Sequence, residues 1–171
     1  MCIRDSFICL WGGPGWDRLF LGDRGVSHGA ASDGSYAGDV TVQEAWRILK
    51  EHEDALLVDV RTRAEWNWVG VPALSDIGKE PAFIEWQQFP SGDLNPNFVD
   101  AVKAQAPDRD VPVLFLCRSG ARSEAAAKAL TAAGLTKCFN ISDGFEGPPD
   151  DQHHRGRLAG WKAAGLPWIQ K

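Results

Sequence analysis

"VPVLFLCRSGARSEAAAKALTAAG", Val111 to Gly134, decides the fold. It opens on an unbroken apolar run, as expected of a strand covered on both faces in a parallel sheet. A cysteine and a tight basic turn follow, and then an alanine-rich helix that Gly134 is suited to end in a left-handed cap. Cys117 therefore falls at the carboxyl end of its strand, the edge where open α/β sheets bind ligands. Arg118 and Arg122 crowd the start of the helix. That end already carries partial positive charge, so two cations there call for an anion between them.

The flanking sequence repeats the alternation. "TVQE" is a capping box with Thr41 as cap and Glu44 reaching back. Val42, Ala45, Trp46, Ile48 and Leu49 then form one apolar stripe, which predicts a helix to about Lys50. "ALLVDV" (Ala55–Val60) is a second buried run. "TRAE" caps a short helix at Thr62 and Glu65, ending near Gly70, and a weaker strand is expected around Ala82–Trp86. "NPNFVDAVKAQAP" offers Asn95 as cap, Pro96 as the first helical residue and Pro107 as the stop. "KCFNI" reads as the last short strand. Strands alternating with helices predict an α/β fold, a mainly parallel sheet with helices on both faces. Residues 1–38, rich in glycine and without a period, read as a tail or linker, and residues 39–171 as the folded domain.

Composition narrows the function. The 171 residues carry a net charge of −5, which argues against a nucleic-acid surface and makes the arginine loop a local basic site for a small anion. No apolar run approaches a membrane span. The four cysteines follow no zinc or disulfide spacing and predict free thiols in a reducing, cytoplasmic setting. Export is left open, because Met1 to Ser6 resemble the translation of a transposon-end sequencing adapter, which leaves the native start unfixed.

At the loop, a helix N-terminus flanked by two arginines favours the thiolate of Cys117. Gly120 lets successive N–H groups turn inward as a nest, and Ser119 and Ser123 add hydroxyls. A lone cysteine at a strand end is most simply a core residue; strand, cysteine, glycine turn, paired arginines and helix together favour chemistry. Asp59 reads as a partner of Arg61 rather than a base, and Glu124 with Lys128 as a surface pair. Cys138 is expected to be a small core residue, with disulfide exchange at Cys117 as its chemical alternative.

"CRSGARS" after "VLFL", with "LLVDVR" and "EW" upstream and "GWKAAGLPW" downstream, resembles the single-domain rhodaneses over roughly residues 40–170. The resemblance implies a five-stranded, mainly parallel core and a sulfurtransferase. It makes Cys117 the nucleophile that becomes a persulfide, and Cys117 to Arg122 the loop that cradles the sulfur. Arg118, Ser119, Gly120, Ala121, Arg122 and Ser123 would form the loop and bind the anion, with Asp59 and Arg61 in support. The implied donor is a small anion such as thiosulfate, and the implied acceptor a thiol, a protein or cyanide, with no metal or organic cofactor. Related cysteine phosphatases have five residues between cysteine and arginine; here there are four, Arg118 to Ala121, which favours sulfur over phosphate or arsenate. A persulfide carrier that hands sulfur to one partner without turnover is the remaining alternative.

The chain departs from the family pattern at "VGVPALSD" (Val69–Asp76) and in a polar insertion around Pro148–Arg157. His153 and His154 in that insertion form a weak metal pattern and predict a solvated loop, with Arg155 and Arg157 bordering an acceptor entrance. Trp161 and Trp168 are expected in the core, and Trp66, Trp68 and Trp86 in the core or at the pocket rim.

Overall fold

The computed structural model describes residues 36–170. Residues 1–35, with most of the expected tail and the adapter-like hexapeptide, lie outside the described residues.

The elements run β1 (Gly38–Val40), α1 (Val42–Glu51), β2 (Leu56–Asp59), α2 (Arg63–Val69), β3 (Val71–Pro72), β4 (Ala82–Phe83), α3 (Phe98–Gln105), β5 (Val113–Leu116), α4 (Ala121–Ala132), β6 (Cys138–Ile141), α5 (Gly160–Ala163) and β7 (Trp168–Ile169). Five strands form one sheet in the order β1-β6-β5-β2-β4, every neighbouring pair parallel. This is the α/β architecture expected from the alternating buried runs and capped helices.

The central strand shows why both faces must be covered. All four β5 residues are buried. Val113 and Phe115, with Cys117 just beyond, pack with Phe98 and Val102 of α3 and with Ala126, Ala127 and Leu130 of α4. Leu114 and Leu116 belong to the opposite layer, with Val42, Ala45 and Leu49 of α1 and Trp161 of α5. The period of two along a strand thus sends alternate side chains into two cores. Burying each such side chain stabilises the fold by roughly 1.5–3 kcal/mol, so β5 is a firmly held base for whatever follows it.

Both capping boxes form, at Thr41 with Glu44 and at Thr62 with Glu65. α4 ends in a Schellman turn: Gly134 has φ 104°, its N–H meets the Thr131 carbonyl, and the Leu135 N–H meets the Leu130 carbonyl.

Four expectations need correction. Asn95 does not cap α3, which starts at Phe98 with Asn97 before it. The Asn95 amide is engaged elsewhere, accepting from the Asn97 N–H at 3.1 Å and donating to the Glu85 carbonyl at 3.0 Å, so Pro96 lies in the approach turn. The folded region also begins earlier than Asp39, because Gly38 pairs with Phe139 in the β1 edge strand. The strand in "KCFNI" is not the last: β7 pairs antiparallel with β3, Pro72 opposite Trp168. Trp168 consequently lies on this small ribbon and is 38% exposed, whereas Trp161 is fully buried as expected, its indole N–H on the Pro167 carbonyl at 2.8 Å.

Candidate active site

Cys117 follows β5 directly, and Gly120 turns the chain into α4 with φ 101°. The turn brings the Gly120 N–H to 3.1 Å from Cys117 Sγ and the Ser123 Oγ to 3.2 Å. Cys117, Gly120 and Ser123 are buried; Arg118, Ser119 and Ala121 are exposed, and Arg122 is half-buried. The residues expected at the site are therefore brought together, with the sulfur at the floor and polar side chains at the rim.

Ser123 ties the sulfur to a buried chain of polar groups. Its Oγ lies 2.6 Å from Asn140 Oδ1 and 2.9 Å from the Gly120 carbonyl. The Asn140 amide donates to Asp39 Oδ1 at 2.8 Å, which turns its oxygen toward Ser123. One hydroxyl proton cannot serve three acceptors. A thiolate at Cys117 competes for it best, since a charged acceptor makes the stronger bond.

A strip of backbone supports the loop from below. The Phe145 N–H donates to the Cys117 carbonyl at 2.7 Å, and the Glu146 and Gly147 N–H groups donate to the Arg118 carbonyl at 3.0 and 3.2 Å. Gly144 has φ 65°, and a Cβ there would stand 2.6 Å from the Cys117 and Arg118 backbone. Neither Asn140 nor this strip was legible as part of the site; the "SDG" turn after a strand was the available signal.

The supporting pair forms as expected. Arg61 Nε and one terminal nitrogen fork onto Asp59 at 2.9 and 2.6 Å, with both side chains fully buried. That same nitrogen donates to the Gly70 carbonyl, and the guanidinium carbon lies 4.0 Å from the Phe145 ring centroid. Asp59 thus holds an arginine beneath the site and is in no position to act as a base.

Arg122 is placed differently from its expected role. Its two terminal nitrogens fork onto the Glu65 carboxylate at 2.8 and 2.7 Å. Burial alone would raise the Glu65 pKa; hydrogen bonds from Arg122 and Thr62 outweigh it and carry the carboxyl down from 4.5 to about 2. On Arg122 the Glu65 bonds likewise outweigh burial and raise its pKa, with smaller contributions from the charges of Cys117 and Asp59. The sequence marks Glu65 as a helix cap and as part of the "EW" element of the resemblance, but not as the partner of Arg122, which is 57 residues away.

Disulfide exchange with Cys138 is excluded by register. Cys138 pairs with Val113, four residues before Cys117. At about 3.3 Å per residue the two cysteines stand about 13 Å apart along the strands, beyond the roughly 7 Å Cα limit for a disulfide. Burial pushes the Cys138 thiol up to about 11, in keeping with a core residue.

The 148–157 insertion is a mostly exposed turn organised by Asp150, which accepts from the Gln152 and His154 N–H groups and from Arg157. Arg155 donates to the Gly147 carbonyl at 2.6 Å, tying the insertion to the strip beneath the loop. Among the described residues, no group of three or more His, Cys, Asp or Glu side chains is placed to hold a metal. No described helix is long and apolar enough to cross a membrane.

Comparison with known proteins bears on the family and the fold. The STR4 middle domain family matches residues 37–171. An uncharacterized protein of Rickettsia conorii is 42% identical over 126 residues, which cover 73% of this chain and 91% of that protein. The crystal structure of Rv0390 from M. tuberculosis is 48% identical, with a TM-score of 0.73 over 80% of this chain and 99% of that one. Rhodanese-like domain-containing protein 4 of Arabidopsis thaliana, a chloroplastic protein, is 25% identical over 78% of this chain and 26% of its own length. With its parallel sheet, its strand-end cysteine loop and a family match along the folded domain, this chain belongs to the rhodanese-like family.

Proposed function

We propose that the chain is a sulfurtransferase that moves a sulfane sulfur from an anionic donor to a nucleophilic acceptor through a Cys117 persulfide. The observation that carries this reading is the Gly120 N–H aimed at Cys117 Sγ, with Ser123 Oγ beside it, at the end of a buried strand. Donors so placed stabilise negative sulfur, first the thiolate and then the persulfide.

With thiosulfate as donor, the Cys117 thiolate bonds to the outer sulfur and the donor's S–S bond breaks. Sulfite departs with the electron pair, and the persulfide sulfur remains in the loop. A thiolate or cyanide then attacks that sulfur, and Cys117 leaves as the thiolate again. The scheme is ping-pong, splitting one transfer into two displacements at a single nucleophile. Arg118 attracts the donor's negative end in this scheme, a role its exposure at the rim supports.

The test is intact-mass measurement after incubation with thiosulfate. One added sulfur, removable by cyanide and absent in Cys117→Ser, is the expected result. Hydrolysis of an aryl phosphate without any adduct would replace this reading with a phosphatase. An adduct that only one protein partner removes would make the chain a carrier.

A further inference from the structure

Three guanidiniums stand near the carboxyl ends of the central strands, and two of them already have carboxylate partners. Arg61 is buried against Asp59. Arg122, in the first turn of α4, is held by both oxygens of Glu65. Arg118 is exposed and, among the described residues, has no ion-pair partner.

Glu65 is not a casual neighbour. One of its oxygens also accepts from the Thr62 N–H and lies 3.0 Å from the Thr62 hydroxyl, as the capping box of α2. The carboxylate is therefore fixed before any donor arrives. It cannot give up Arg122 and move away without undoing the start of a helix. A donor entering the loop meets an arginine whose charge and fork are both occupied.

We propose that Glu65 is a specificity-determining residue: by neutralising Arg122 it makes the cradle favour organic persulfides over the dianion thiosulfate. This rests on the reading of Cys117 as the sulfur-accepting nucleophile. Within the loop itself, Cys117 as thiolate offsets Arg118, which has no ion-pair partner among the described residues, and Glu65 offsets Arg122. Thiosulfate brings two negative charges into that balance, and a persulfide brings one at most.

The favoured step balances without an oxidant or reductant. The Cys117 thiolate bonds to the terminal sulfur of R–S–S–H, and the donor's S–S bond breaks with its electron pair going to R–S. The proton ends on that leaving thiolate, giving R–S–H and the Cys117 persulfide anion.

The experiment measures single-turnover sulfur loading of the full chain by intact mass, with thiosulfate and with glutathione persulfide as donors. The wild type is expected to load faster from the persulfide. Glu65→Gln keeps an oxygen for the helix cap but removes the charge. It should raise the thiosulfate-to-persulfide ratio of loading constants about tenfold, the order expected for one unit charge at a partly screened site. Glu65→Asp should hold the wild-type ratio, which a merely structural role would not require. Should Glu65→Gln fail to fold, Arg118→Gln reads the opposite sign, lowering the ratio. A wild type that prefers thiosulfate, or a ratio indifferent to these charges while both donors load, would overturn the proposal alone. Failure of both donors to load Cys117 would overturn the sulfurtransferase reading with it.

Discussion

Two arginine–carboxylate pairs flank the same loop and are built in different ways. Asp59 and Arg61 are two residues apart, fully buried, and backed by the Gly70 carbonyl and the Phe145 ring. Glu65 and Arg122 come from separate helices and keep 21% and 22% of their side chains exposed. The first pair is enclosed by the core, where removing one partner strands a charge. The second sits where solvent can reach it. Similar chemistry thus serves support at one place and, in the role proposed for Glu65, selection at the other, and burial makes the difference.

The sharpest way to break this comparison is Asp59→Ala. It leaves Arg61 buried without its carboxylate, and the expected loss is about 3–5 kcal/mol in chemical denaturation. A loss under about 1 kcal/mol would place both pairs in one class. Glu65→Gln comes next, with an expected loss of about 1.5–3 kcal/mol at neutral pH, the range for hydrogen bonds to charged groups. Its signature is in acid. The folded Glu65 carboxyl is held at about 2 against an ordinary 4.5, so its stabilisation is complete above that ordinary value. It is lost as pH falls toward the folded value, and the variant's stability should therefore vary less with pH across that window. Wild type and variant losing stability in parallel there would deny the pair its electrostatic role. The smallest effect belongs to Glu124→Gln on the surface of α4. That residue's 2.7 Å pair with Lys128 is solvent-exposed, and its removal should shift stability by less than about 0.5 kcal/mol.

What the sequence made legible was whatever one short stretch determines. β5, the Cys117 turn and α4 are contiguous, so the apolar run, the glycine and the alanine-rich helix could be read together. The two capping boxes span four residues each and formed as expected. β3 and β7 are only two residues long and exist because they pair with each other across the domain. β1 is an edge strand of three residues, too short for a period to show. Asn95 looked like a cap because its side chain can act as one; its bond to the Glu85 carbonyl, ten residues away, decided otherwise. At the site, Cys117, Gly120 and the arginines could be named from the motif. That Glu65 answers Arg122, and that Asn140 stands behind Ser123, depends on contacts between distant parts of the chain, which leave no local pattern.

The contact of Gly144 against the Cys117 and Arg118 backbone has a consequence for how such a protein can diverge. Beneath the cysteine loop one peptide strip lies directly against another, with no side chain on Gly144 to part them. Ser119 and Ala121 stand outside that contact, open to solvent, and Arg118, also exposed, meets it through its backbone. Descendants can therefore exchange the rim side chains while inheriting that main-chain contact unchanged. The glycines are the part of the inheritance that cannot drift.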